Sequence, residues 1–335
     1  MTNLPQPGSS LEPSRNPVAV TTSASTTVAV SAPRTRRRIV LPIVLFFLTC
    51  VSTCFVGITQ WSPVSVISDC FMTGVASQPV TLQPLRQAIL ANWQDGLLYM
   101  VLVMSILLAH EMGHFVATLI YRVPASLPIF LPFPFNPLGT FGAVIAMQGN
   151  QADRKQIFDI GLAGPIAGLV IAVPVMIIGV QQLDLTGYPS GTFGFECPLG
   201  TRWLMEYIQP TGYTGQRHVW IGQLNPFFAA GWIGFLITGI NMMPISQLDG
   251  GHVTYTLFGK AAHWIARATM VGAIAFMVFN SAPTMFLMVI LLLVVGTDHP
   301  PTRNDRARLG PLRVIIGLAS LSIPVLCFPP LIFKL

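Results

Sequence analysis

LLYMVLVMSILLAHEMGHFVATLIY, residues Leu97–Tyr121, is an apolar run long enough to cross a bilayer as one helix, and Glu111 is its only charged residue. Holding ionisable side chains at membrane depth costs at least ~2.5–3.5 kcal/mol per charge, so residues found there are functional by default. His110 and His114 are four positions apart and share a helix face, which lets both imidazoles reach one metal ion. Glu111, next to the first imidazole, points toward a water at that ion and can take its proton. A match to His-Glu-x-x-His arises by chance in soluble helices. It is much rarer at the centre of an uncharged span, because insertion selects against it. The competing readings are a polar packing pair and a haem-ligating pair; a metal site is the stronger one.

Only 9% of the 335 residues are charged and 52% are hydrophobic, with a mean hydropathy of +0.65. Soluble domains carry about 25% charge, so the composition describes a polytopic membrane protein. Apolar runs at 39–60, 96–121, 156–180, 224–245, 263–281, 283–296 and 312–328 predict an all-α fold with six to seven transmembrane helices. The pair at 263–296 is broken by Asn280-Ser281-Ala282-Pro283 and reads as a helical hairpin with short arms. With the amino terminus inside, fourteen of the eighteen Lys and Arg fall on the cytoplasmic side, leaving Arg86, Arg202, Arg217 and Lys334 outside. The net charge of +6 is thus topological, and no nucleic-acid partner is expected.

Residues 1–33 are rich in Pro, Ser, Thr and Ala and cannot bury enough apolar surface to offset ordering entropy. Residues 1–38 are therefore expected to form a disordered cytoplasmic tail, with Ile39 opening a retained signal anchor. Residues 39–335 are expected to form one membrane-embedded domain with its core at 96–255. Inside that core, Pro124–Met147 holds Pro124, Pro128, Pro132, Pro134 and Pro137, so most of it is not helix. It is too apolar for a solvated loop, and non-helical backbone survives at membrane depth only against protein or a wet cavity. It reads as a re-entrant loop or a short membrane-associated β-hairpin, with a loop lying on the membrane surface as the alternative. Stretches 61–95 and 183–222 read as structured loops outside the membrane. Among the five cysteines, Cys50, Cys54 and Cys327 read as small buried hydrophobes. Cys70 and Cys197 fall in outer loops, as two free thiols or as a disulfide tying those loops together.

Two imidazoles leave a tetrahedral zinc ion one protein ligand short, with a further position for water. Asp159, near the cytoplasmic interface, reads as a snorkelling or capping residue. Asp249 closes the fourth apolar stretch, in Asn241-Met242-Met243-Pro244-Ile245-Ser246-Gln247-Leu248-Asp249-Gly250-Gly251. Pro244 interrupts the helix and the Gly pair permits unusual backbone, so this end is expected to be unwound. An unwound end lets a carboxylate point into the bundle, which makes Asp249 the expected third ligand. His252 is expected near the ion rather than on it.

His110-Glu111-Met112-Gly113-His114, Asn241-x-x-Pro244-x-x-x-Leu248-Asp249-Gly250 and, between them, Gly164-Pro165-Ile166-Ala167-Gly168 together resemble the site-2 protease family of intramembrane zinc metalloproteases. The three motifs stand in the family's order and cover about residues 96–255. The resemblance implies that His110, His114 and Asp249 bind one Zn2+ per chain. It implies that Glu111 activates water and later protonates the leaving amine. Asn241 would lie near the site, stabilising the oxyanion or holding the substrate strand, or else making a helix–helix hydrogen bond. Gly164 and Gly168 read as close-packing positions. The 183–222 stretch is too short for the PDZ domain that some relatives carry.

The expected function is an intramembrane zinc metalloendopeptidase, cutting transmembrane segments of single-pass or signal-anchor membrane proteins by zinc-activated water with Glu111 as general base. It would sit in the lipid bilayer of a bacterial inner membrane, its amino terminus and active-site opening cytoplasmic. His110 lies about 18 Å from Arg122 at ~1.5 Å per residue, so water must reach well below that surface. A helical substrate must first be extended, and Pro124–Met147 is the candidate edge for strand addition. The alternatives are a metal-ion transporter and a non-proteolytic scaffold using the same His and Asp. Transport does not require a Glu at position 111, and a degenerate scaffold would not keep every ligand position.

Overall fold

In the sequence, apolar runs separated by Pro, Gly and Asn become helices separated by turns. The structure, a computed structural model, describes residues 39–72, 81–187, 193–280, 290, 296, 302–329 and 333–334. The chain runs through α1 (Val40–Ile58), a short α2 (Pro63–Met72) and α3 (Gln83–Ile120) into a hairpin, β1 (Ile129–Phe133) and β2 (Gly139–Val144). Then come α4 (Arg154–Gln181), β3 (Gly194–Glu196), α5 (Leu199–Ile208), β4 (His218–Trp220), α6 (Pro226–Asn241), α7 (Asp249–Phe258) and α8 (Ala262–Phe279). The last elements are α9 (Pro311–Ser320), α10 (Ile323–Cys327) and β5 (Phe333–Lys334). The tail expected at 1–38 and most of the run at 283–296 lie outside the described residues.

Four helices are long and apolar enough to cross a membrane: Val40–Ile58, Gln83–Ile120, Arg154–Gln181 and Asp249–Phe279, the last comprising α7 and α8. The count of six to seven is therefore not reached among the described residues. One expected span, 224–245, is a 16-residue helix, α6, that ends at Asn241. At ~1.5 Å per residue it is about 24 Å long, short for a bilayer. Its position explains how it manages: Phe228 to Leu236 is wholly buried, wrapped by the other helices. The wrapping is tight because the contacts are small. Gly179 of α4 lies against the Phe228 backbone, and Gly231 of α6 lies against Met176, each at distances that leave no room for a Cβ. In an apolar solvent such close backbone approach is the main source of helix association. Asp153 opens α4 by accepting from Lys155 N (2.9 Å) and Gln156 N (3.0 Å), and Asn225 opens α6 by accepting from Phe228 N (2.8 Å).

The Pro-rich segment is a hairpin. β1 and β2 are antiparallel, pairing Ile129 with Val144 and Phe130 with Ala143, with a bulge between Phe130 and Pro132 that accommodates the missing N–H. Its tip turns on Asn136, whose Oδ1 accepts from the N–H groups of Leu138 (3.1 Å) and Gly139 (2.6 Å). Gly139 has φ +81° and sits 2.8 Å, measured from an added Cβ, from the Thr53 backbone, so both conformation and space demand glycine. The tip is held in the bundle: Ser52 Oγ donates to Gly139 O (2.6 Å) and Tyr99 OH donates to Leu138 O (2.9 Å). Tyr99 is twenty-two residues before Tyr121 on α3, about 33 Å along the helix. The hairpin therefore re-enters past the level of the two histidines, and the surface-loop alternative is set aside.

The expectation of an all-α fold needs correcting. Besides the hairpin, 183–222 contributes to a three-stranded sheet in the order β4-β3-β5. Phe195 and Val219 are fully buried at the centres of β3 and β4, three-residue strands too short to stand out in sequence. Trp232 Nε1 of α6 donates to Glu196 O (2.7 Å), tying this layer to the bundle. Cys70 and Cys197 are both buried and both free, so the bridge between loops is absent from the structure. Burial, reinforced by the adjacent Glu196, pushes the Cys197 thiol up to about 12. Below that value the thiol stays protonated, and only the thiolate is nucleophilic. A polar maleimide at pH 7–8 should therefore leave Cys197 unmodified in the folded protein, with or without reductant, and modify it after denaturation. Labelling of the folded protein, read by intact mass, would contradict this packing.

Candidate metal centre

Three side chains from two helices converge on one point. His110 and His114 come from α3, and Asp249 is the first residue of α7. The Nε2 atoms of the two histidines are 3.3 Å apart. Asp249 Oδ2 is 3.2 Å from His110 Nε2 and 3.3 Å from His114 Nε2. Ligand atoms ~2.0–2.1 Å from a tetrahedral zinc ion lie about 3.3–3.4 Å from one another, so this nearly equilateral triangle has the size of one face of such a site. Asp249 Oδ2 is buried and has no hydrogen-bond partner among the described residues. An orphaned carboxylate oxygen is costly, and a cation above the triangle removes that cost. The group is positioned for a metal ion.

What lies behind the triangle orients it. His114 Nδ1 is 2.8 Å from the carbonyl of Ile160 on α4. A proton on Nδ1 donated there leaves the Nε2 lone pair facing the group, the usual way a neighbouring acceptor sets a ligating tautomer. Asn241 Nδ2 at the end of α6 is 3.3 Å from His110 Nε2. Glu111 is 5% exposed and lines the same cavity as the triangle. The glycines expected to be close-packing positions prove to pack against the histidines themselves. A Cβ at Gly164 would overlap His114 Nε2, and one at Gly168 would lie 3.2 Å from His110 Nδ1. Gly113 brings α3 against the Ala163 carbonyl at 2.5 Å from its own added Cβ.

Asp249 does not close the helix before it but opens a new one. Between Asn241 and Asp249 the chain makes a turn with Ser246 at φ +43°. This turn is wedged against α7, since a Cβ at Gly250 would strike the Met242 carbonyl and one at Gly251 the Ser246 carbonyl. Asp159 is likewise not a cap. Arg313 of α9 grips its carboxylate with two donors (2.9 and 2.8 Å), and Tyr121 OH donates to it at 2.5 Å. It ties α3, α4 and α9 together one residue from the Ile160 carbonyl.

The cavity in front of the triangle has a volume of about 180 Å³. One wall is the far end of the hairpin, Ala143, Val144, Ile145 and Met147; another is Gln247, Leu248 and His252. Sequence reasoning missed Gln247, Thr118 and the Ile160 carbonyl. The last could not have been found, because a backbone carbonyl carries no sequence signal. Replacing Gly164 with Ala should displace the His114 ring and lower the affinity for zinc about tenfold or more, measured by competition with a chromophoric chelator, while Gly272→Ala on α8, with open space around it and no left-handed backbone, should not.

A comparison with known protein families matches Peptidase family M50 over residues 98–285, more than half of the chain. Among curated proteins, the chain is 29% identical over 312 residues to "Probable zinc metalloprotease EGY1, chloroplastic" of Oryza sativa subsp. japonica, covering 91% of this chain and 52% of that protein. It is 28% identical over 314 residues to the protein of the same description from Arabidopsis thaliana, covering 90% and 55%. A third, "Probable zinc metalloprotease EGY2, chloroplastic" of Arabidopsis thaliana, is 26% identical over 169 residues, covering 50% and 30%. The chain thus spans about half the length of the first two. All three are described as chloroplastic, so a bacterial inner membrane finds no support, while a membrane location rests on the four long apolar helices. The chain belongs to Peptidase family M50, the site-2 protease family.

Proposed function

We propose that this protein is an intramembrane zinc metalloprotease that hydrolyses peptide bonds within transmembrane segments of other membrane proteins. The observation that carries the reading is the His110–His114–Asp249 triangle, of zinc-ligand dimensions, with buried Glu111 beside it in the middle of an apolar helix. A zinc ion held by these three side chains would supply Lewis acidity to the scissile carbonyl and lower the pKa of water to ~7. Glu111 accepts the proton of the attacking water and returns it to the leaving amine. Its burial keeps that proton from exchanging with bulk solvent between the two transfers. Asn241 reaches the edge of the group from α6 and serves to hold the substrate or its developing negative charge.

The substrate must enter as an extended chain, because a helix hides its carbonyls in its own hydrogen bonds. β2 supports that entry. Among the described residues the hairpin has two strands, so β2 pairs with β1 on one side only there, and residues at its end line the cavity. A substrate strand added there satisfies its inward-facing peptide groups as it leaves the helix. Fourteen cationic side chains assigned to one side, with the guanidinium groups of Arg154 and Arg313 bound to the Thr256 carbonyl and the Asp159 carboxylate at that end, favour a cytoplasmic opening. Transport by the same residues is the weaker reading, since it gives Glu111 no task.

Glu111→Gln should lower kcat for a single-span substrate about 10²–10⁴-fold, the range for loss of a general base, while leaving about one zinc per chain by atomic absorption. His110→Ala, His114→Ala and Asp249→Ala should each lose the zinc. Full cleavage by Glu111→Gln would remove the proposed base, and full zinc in Asp249→Ala would remove that ligand. The buried site also predicts selectivity. An unfolded water-soluble protein should be cut far more slowly than a membrane span carrying helix-weakening residues; equal rates would defeat the intramembrane reading.

A further inference from the structure

A strand docked on β2 satisfies only half of its peptide groups. The alternate N–H and C=O groups point the other way, into a site sunk in apolar protein, where an unpaired peptide group costs several kcal/mol. The other residues that line the cavity are the candidates to receive them. They offer few polar side chains. Asp249 faces the two histidines as the proposed third ligand, Asn241 approaches His110, Thr118 donates to Phe115 O, and His252 has interactions of its own. Gln247 remains, exposed, and lining the same cavity as Ala143, Val144 and Ile145.

A carboxamide suits the task. It offers one acceptor and two donors in a plane, the same hydrogen-bonding unit as a peptide group, so it can stand in for one residue of a neighbouring strand. Its mounting is firm as well. Gln247 follows Ser246 at φ +43° in the wedged turn, where Ile245 N donates to Met243 O (2.8 Å) and Leu248 N to Ile245 O (3.1 Å). A non-glycine residue in the left-handed region is held there by its surroundings, and the turn ends two residues later in Asp249. The backbone that carries the carboxamide is thereby fixed relative to the proposed metal ligand, and the side chain is left able to reach into the cavity.

Building on the protease reading above, we propose that Gln247 is a substrate-binding residue whose carboxamide hydrogen-bonds the backbone edge of the extended substrate that faces away from β2. Recognition of this kind reads backbone rather than side chains, so the substrate class is any apolar span that can unwind locally.

The probe is a synthetic single-span peptide of apolar residues interrupted by Gly-Pro, reconstituted with the full zinc-loaded chain in bicelles. Gln247→Met keeps the length of the side chain and removes both hydrogen-bonding groups. It should lower kcat/KM about tenfold, with zinc content unchanged. In the Glu111→Gln background, Gln247→Cys should form disulfides with single-cysteine probes at alternate positions, the period of a strand; the same chain retaining Gln247 is the blank for native cysteines. Wild-type kcat/KM in the Met variant, or cross-links that are absent or helically spaced, would overturn the proposal. Should Gln247→Met lose zinc, the cross-linking pattern alone decides. Cleavage by wild type with no effect at position 247 defeats this inference only, whereas alternate cross-links without any cleavage defeat the protease reading and leave the strand contact standing.

Discussion

Three side chains from two helices can share a point a few ångströms across only if the backbones carrying them nearly touch. That constraint governs the rest of the structure. His110 and His114 need α4 close enough for the Ile160 carbonyl to reach an imidazole, yet thin enough to leave both rings space. Gly164 and Gly168 meet both demands, being four apart and so on one face, the face turned to the histidines. Gly161 does the same toward α7, with an added Cβ only 3.0 Å from His252. In a membrane this arrangement is also what binds the helices, because lipid gives no hydrophobic reason for them to associate. Packing and chemistry thus fall on the same small residues.

Much of this was legible in the sequence. The His-Glu-x-x-His motif names a helix face, and its burial in an apolar run names an environment; neither depends on tertiary contacts. Asp249 could be picked out because carboxylates at membrane depth are few and the flanking Pro244 and Gly250-Gly251 announce irregular backbone. The Pro-rich hairpin was readable as non-helical, since five prolines forbid a continuous helix, but its depth was not. Depth is set by Ser52 and Tyr99, which look like ordinary polar residues in apolar spans until their partners at Gly139 and Leu138 are known.

The misreadings share a cause. Asp159 reads in sequence as a snorkelling or capping residue because its partner, Arg313, is 154 residues away. The strands at 194–196 and 218–220 were taken as loop because three residues are too few for a periodicity, and their pairing is with each other and with β5 rather than with anything nearby in sequence. The span 224–245 was drawn too long because hydropathy does not register that Met242–Leu248 leaves the helix while staying apolar. Local pattern finds what is encoded locally; the ion pair, the sheet and the turn are all encoded by distant partners.

The arrangement also explains how hydrolysis and an apolar bilayer can coexist. Amide cleavage needs water and an extended peptide, and hydrocarbon tolerates neither. The hairpin answers both difficulties with one element. Packed on α1 by β1, it leaves an edge of β2 unpaired among the described residues, so non-helical backbone is paired with protein on one side and, in the proposed reaction, would take a peptide on the other. In the proposed reaction such a site would select without reading side chains: a stable helix cannot offer an edge for β2 to pair with, so the susceptibility of a segment to unwinding, rather than its residue types, would mark it for cleavage.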